Sequence, residues 1–333
     1  LLYLVAVFLI GTGPFFIFVY GPLLEQAFWV GAIIGGVYSA IAFGAGVGAL
    51  ETYIERLGRN GGFEFGRARM FGSLGWALAT FCAGFIFNIA PIGNFILASI
   101  AALIFFIAIR QIDELREDDS SNSTPSVTHK DASKLVANPQ FWALVVYVMG
   151  SSCIYSVYDQ QFPIFFASLF HTQAEGNAMF GYLNSLQVFL EAGGMFLAPS
   201  LINRIGAKNG LVLAGAIMAV RIGASGYSDT PLEVSVVKLL HAAELPIMLI
   251  ALFKYIAATF DFRMSATVYL VGFQFSTQVM ASLLSVAVGV MYDSVDFVTT
   301  YKILAVVVAA TVFVPWFLLT TDQSSIPDRG TQI

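Results

Sequence analysis

Charge is what this sequence is short of. Only 11% of its 333 residues are Asp, Glu, Lys or Arg, where a soluble domain needs about 25% to keep its surface wet. With 58% hydrophobic residues, that shortage excludes a soluble globular chain and leaves an all-α integral membrane protein. The net charge of −5 says little, because in such a chain the placement of charge matters more than its sum. Cysteine is scarce too. Cys82 and Cys153 lie in apolar runs far apart, which speaks against a disulfide or a metal site and for buried packing. There is no G-x-x-x-x-G-K-[ST] loop, and no soluble segment that could hold one. Nor does the sequence carry a compact Ser/His/Asp or metal-ligand cluster, so it is not read as an enzyme. No basic leader or Met precedes Leu1, and the chain opens directly in "LLYLVAVFLIGTGPFFIFVY". A secretory signal would be shorter and would end in a small-residue cleavage site. The start is therefore read as a truncation, with N-terminal helices missing.

Long apolar runs are what the sequence has. Stretches of about 18–25 apolar residues mark spanning helices. Ten candidates follow: 1–20, 27–50, 69–90, 93–111, 141–166, 177–199, 210–227, 232–252, 266–290 and 298–319. One long hydrophilic break, "IDELREDDSSNSTPSVTHKDASKLVAN" at 112–138, is too polar to build a core and reads as a linker. The organisation expected is a partial N-terminal helical bundle of four spans at 1–111, the linker at 112–138, a six-helix bundle at 139–320 and a tail at 321–333.

Lys and Arg favour cytoplasmic loops. Arg56, Arg59 and Arg67 lie between the second and third spans, and Arg116, Lys130 and Lys134 lie in or beside the linker. Arg204, Lys208, Lys254 and Arg263 follow the sixth and eighth spans, while the alternate loops carry Glu25, Asp229, Glu233, Asp293 and Asp296 instead. Linker and C-terminus are expected in the cytoplasm, as is residue 1. An even number of helices must then be missing, and adding two gives six plus six. Small residues in "GGVYSAIAFGAGVGAL" let helix backbones approach. That suits helices that slide, and equally suits ordinary membrane packing.

Eight ionisable groups stand inside the spans: Glu51, Arg69, Asp159, Glu191, Arg221, Lys238, His241 and Glu244. On insertion scales each central charge costs about 2.5–3.5 kcal/mol. In "VVKLLHAAELP" the residues 238, 241 and 244 advance about 60° per step and share one broad face. Arg221 is the obvious cation for Glu244, and Asp159 a counter-ion for Lys238. A single pair would read as a helix-locking ion pair. So many groups over six spans point instead to a water-filled cavity with a proton relay. A buried carboxylate favours its neutral form and an approaching guanidinium its ionised form, which makes Glu244, His241 and Arg221 the candidates for proton handling. Of the other histidines, His129 lies in the linker and His171 in an outer loop, both read as solvated.

The patches "IERLGRNGGFEFGRARMFGSLGWAL", "YDQQF", "LINRIGAKN", "VVKLLHAAELP" and "FKYI" resemble the oligosaccharide:proton symporters of the major facilitator superfamily, the lactose and sucrose permease type. The resemblance covers nearly the whole chain from the family's third helix onward. It implies two six-helix bundles with the first two helices absent here, and alternating access around a midplane sugar site. It implies that Glu51 and Arg69 bind sugar hydroxyls, that Trp76 is a platform for a sugar ring, and that His241 links the sugar and proton sites. Glu244 would carry the proton with Arg221 as its partner, Tyr155 would belong to the same network, and Asp159 and Lys238 would form a structural ion pair.

Two departures bear on substrate. Lactose permeases carry an Asp and a Lys, paired to each other, where this chain has Ser156 and Thr277; both charges are absent together. They also carry a sugar-site glutamate where this chain has Val188, and here the carboxylate is Glu191, nearly one turn later. "LNSLQVFLEA" resembles the sucrose permeases, whereas Trp76 is lactose-like. The expectation is a proton-coupled disaccharide symporter, for sucrose or a galactoside such as lactose or melibiose. It would be a monomeric, multi-pass protein of the bacterial inner membrane, with no cofactor beyond the coupling proton and no nucleic-acid partner. The alternatives are an uncoupled facilitator or sensor of the same fold, a membrane enzyme, or a chain left inactive by the loss of two helices.

Overall fold

Apolar side chains at every turn and a scarcity of strand-type alternation dictate helices, because within a bilayer the backbone must satisfy its own hydrogen bonds. The computed structural model describes residues 2–90, 92–116, 134–261 and 263–320, and every regular element among them is helical. We label the helices α1 (Leu2–Ile10), α2 (Thr12–Gln26), α3 (Phe28–Gly58), α4 (Phe65–Ile89), α5 (Ile92–Arg116), α6 (Pro139–Ser168), α7 (Gln173–Ile205), α8 (Ala207–Ser225), α9 (Pro231–Thr259), α10 (Ser265–Ser294) and α11 (Phe297–Leu318). Most of the expected linker, with His129 and Lys130, and the tail at 321–333 fall outside the described residues.

Among the described residues eight helices are long and apolar enough to cross a membrane, or nine if α1 and α2 form one span bent by 46°. The expected span at 69–90 corresponds to α4, a continuous helix of 25 residues whose Met70–Phe87 stretch carries no charged side chain. Most helices also run further than their apolar cores. The expected span at 177–199 is part of a 33-residue helix, and α5 continues to Arg116. Apolarity marks only the hydrocarbon-length part of a helix.

The chain divides into two compact units, one of residues 1–56 and 79–126, the other of residues 57–78 and 127–333. In the first, the bend between α1 and α2 falls at the Gly-Thr-Gly-Pro sequence from Gly11 to Pro14, where Pro14 removes a backbone donor. Gly13 then brings α2 against α5, its N–H donating to Ser99 Oγ at 2.8 Å. Stacked rings fill the same unit: Phe15 on Tyr38 at 3.9 Å and Phe16 on Phe95 at 3.8 Å.

In the second unit α6 to α11 pack together, with α8 between α9 and α11, and α7 against α9. Local chemistry sets where these helices begin. Thr230 and Glu233 form a capping box ahead of α9, with Pro231 in its first turn. Asn138 caps α6 and Thr172 caps α7. Between α7 and α8 the chain turns in a single residue, Gly206, at φ +84°, a conformation that favours glycine.

Two helix crossings position the site. Pro246 has no N–H to bond the Ala242 carbonyl four residues back, and Gly194 of α7 lies directly over that place. A Cβ on Gly194 would stand 2.5 Å from the Ala242 oxygen and 2.8 Å from Pro246 Cγ. The start of α4 docks on the same pair of helices. There Gly66 sits against Met195, Pro199 and Ile250, and Phe65 packs on Phe253 at 4.6 Å. Lys254, Glu64 and Asn203 close this end with contacts of 2.7 Å (Lys254 to Asn203) and 3.1 Å (Lys254 to Glu64).

Candidate functional site: a buried ionic cluster

Helix α9 carries three of the candidate groups, and its geometry changes among them. Leu240, between Lys238 and His241, takes a tight turn (φ −58°, ψ −24°), and its N–H bonds Val237 three residues back. On either side, Lys238, His241 and Glu244 are 1%, 2% and 1% exposed. A charge so buried is tolerated only with a partner.

Glu244 finds its partner on α8. Arg221 Nε donates to Glu244 Oε2 at 2.6 Å and Nη2 to Oε1 at 3.2 Å, the two-pronged grip that a planar guanidinium offers a carboxylate. Arg221 is itself 0% exposed, and its Nη1 is buried without a hydrogen-bond partner among the described residues. Aromatic faces from α6 enclose the guanidinium: Tyr158 with its ring centre 5.0 Å from Cζ, and Tyr155 at 5.4 Å. Tyr158 is held in turn by Ser225, one turn beyond Arg221, at 2.9 Å between the hydroxyl oxygens.

His241 joins this group by stacking. Its ring lies 4.5 Å from that of Tyr155, 13° from parallel. Nδ1 is 3.4 Å from Glu244 Oε1 but lacks hydrogen-bond geometry to it, and is buried without a partner among the described residues. Arg221, Glu244, His241 and Tyr155 thus form one contiguous cluster drawn from three helices. Beside it, Lys238 donates to Asp159 Oδ1, with the ammonium 4.7 Å from the Phe162 ring centre. The partners are unequal: Lys238 is fully enclosed, while the Asp159 side chain is 38% exposed.

A second polar group lies on α7 and the first half of α4. Glu191, 5% exposed, accepts from Ser73 Oγ at 2.8 Å, and Ser73 accepts from Arg69 Nη1 at 3.2 Å. Trp76, three residues beyond Ser73, is 64% exposed. Val188 is a buried apolar residue one turn from Glu191, and Ser156 bonds back to the Ser152 carbonyl at 2.9 Å. Glu51 belongs to the first unit, where it is buried on α3. Sequence reasoning missed Ser73, Tyr158, Ser225 and Phe162. Helical spacing was the available signal, since Ser73 stands four residues from Arg69, Ser225 four from Arg221, and Tyr158 three from Tyr155. Among the described residues no group of His, Cys, Asp and Glu is arranged to hold a metal ion.

The profile described as LacY proton/sugar symporter matches residues 1–330. The chain is similar to the melibiose permease of Enterobacter cloacae subsp. cloacae, at 42% identity over 99% of this chain and 79% of that protein. It is 42% identical to the raffinose permease of Escherichia coli, over 98% of this chain and 78% of the relative. With the sucrose permease of Escherichia coli the identity is 36%, over 98% of this chain and 79% of that one.

Proposed function

This chain belongs to the LacY proton/sugar symporter family, and we propose that it moves a disaccharide and a proton together across the bacterial cytoplasmic membrane by alternating access. The observation that carries the proposal is the buried grip of Arg221 on Glu244 with His241 and Tyr155 stacked beside it. An ion pair removed from water is stable only while both charges stay together. Separating Arg221 from Glu244 leaves a buried carboxylate that is costly as an ion, so movement of the pair and movement of a proton are linked. His241 and Tyr155 touch this pair and relay the presence of sugar to it. Glu191, Arg69 and Trp76 meet the sugar, with Glu51 a further hydroxyl acceptor on the first unit. Asp159 and Lys238 are structural. The proton is the coupling ion and no cofactor is required; the transporter acts as a monomer with its C-terminus in the cytoplasm.

Sucrose, lactose and melibiose, with the trisaccharide raffinose beside them, are the first sugars to test, since similar proteins are named for them and Glu191 supplies a carboxylate for sugar hydroxyls. Adding sugar to a lightly buffered, anaerobic suspension of cells making the protein should raise the external pH as protons enter with it. Sugar entry with no pH change would favour the rival reading, an uncoupled facilitator of the same fold.

A further inference from the structure

The proposal above leaves two buried polar groups without a task. Ser73, 1% exposed, accepts from Arg69 and donates to Glu191, 118 residues away in sequence. A hydroxyl can do both at once; alanine or cysteine in its place would lose or weaken the link. One turn before Glu191, Gln187 is 3% exposed, and its Oε1 is buried with no hydrogen-bond partner among the described residues. Buried acceptors are normally satisfied, so this one calls for a donor that the described residues do not supply. Gln187 and Glu191 are four residues apart and share a helix face.

We propose that Ser73 is a positioning residue for sugar selection, fixing the Glu191 carboxylate so that Glu191 and Gln187 together read hydroxyl groups of the bound sugar. Arg69 orients the Ser73 hydroxyl, and the hydroxyl orients Oε1 of Glu191. An ionised carboxylate offers about four acceptor sites, so the rest of Glu191 remains for the ligand. The inference rests on the reading of Glu191 as a sugar contact. A rival role is a bond that only locks α4 to α7. A lock would change stability and leave affinity alone.

The test is a double-mutant cycle on purified full-length protein. Sugar affinity is read by calorimetry, using whichever of melibiose, raffinose and sucrose the unmodified protein binds most tightly. Ser73→Ala should weaken binding about tenfold, as loss of a hydrogen bond to a charged group does, and Ser73→Thr, which keeps the hydroxyl, should restore it. With Glu191→Gln already weakened, adding Ser73→Ala should change affinity by less than about twofold, because the two act as one unit. Unchanged affinity in Ser73→Ala, or losses that multiply in the double variant, would overturn the positioning role while leaving Glu191 as a sugar contact. Unchanged affinity in Glu191→Gln would instead overturn the reading of Glu191 on which the proposal stands.

Discussion

Arg221 holds Glu244 at two points, Nε to Oε2 at 2.6 Å and Nη2 to Oε1 at 3.2 Å, on side chains that are 0% and 1% exposed. The fork geometry makes the grip specific to arginine. Lysine keeps the charge but offers a point donor on a flexible stem. Arg221→Lys should therefore lower the initial rate of active sugar uptake by about tenfold or more, the scale of one charge-assisted hydrogen bond. Radiolabelled sugar uptake by energised cells checks this. Full activity in the lysine variant would mean that charge alone suffices.

The Asp159–Lys238 pair makes an asymmetric prediction. Lys238 is 1% exposed and Asp159 38%. Removing Asp159 strands a fully enclosed ammonium, whereas removing Lys238 leaves a carboxylate that is only partly enclosed. Asp159→Ala should lower thermal stability more than Lys238→Ala, toward the upper part of the roughly 3–5 kcal/mol range for breaking a buried pair. The double alanine variant should recover most of the loss. Melting curves of the three purified variants decide it; equal losses, or a double variant worse than either, would contradict the structural role.

Neighbouring glycines should respond in opposite ways. A Cβ on Gly194 meets the Ala242 carbonyl at 2.5 Å and Pro246 Cγ at 2.8 Å, while one on Gly193 meets nothing within 4 Å. Gly194→Ala should destabilise by about 1–3 kcal/mol through overpacking, visible as lost monodisperse protein in size-exclusion chromatography. Gly193→Ala should be silent or slightly stabilising, since alanine is the better helix former. Equal tolerance at both positions would mean that α7 and α9 do not approach as closely as described.

The sequence made part of this site legible. Opposite charges in apolar runs must find each other, so the pairing of Arg221 with Glu244 and of Lys238 with Asp159 could be argued without coordinates. Helix existence was legible for the same reason, because apolar runs of spanning length have few other options. Extents were not: α7 runs 33 residues, since polar ends such as "INRI" keep helical hydrogen bonding beyond the apolar core. Ser73 was hidden because a hydroxyl in a helix ordinarily bonds its own backbone, and it is the packing of α4 on α7 that gives this one Glu191 as its acceptor. The approach of Gly194 to Ala242 was hidden as well, since glycines are common in membrane helices and spacing alone does not say which one meets a neighbour.

In the proposed function, Glu244 couples proton movement to sugar movement through its pair with Arg221. Glu244→Gln keeps the shape and removes the titrating group, so the most direct measurement compares two modes of transport in that one variant. Accumulation of labelled sugar against a gradient, driven by a proton gradient in membrane vesicles, should be abolished. Exchange of internal for external sugar, which needs no net proton movement, should continue at a rate near that of the unmodified protein. Proton-driven accumulation by Glu244→Gln would contradict the account.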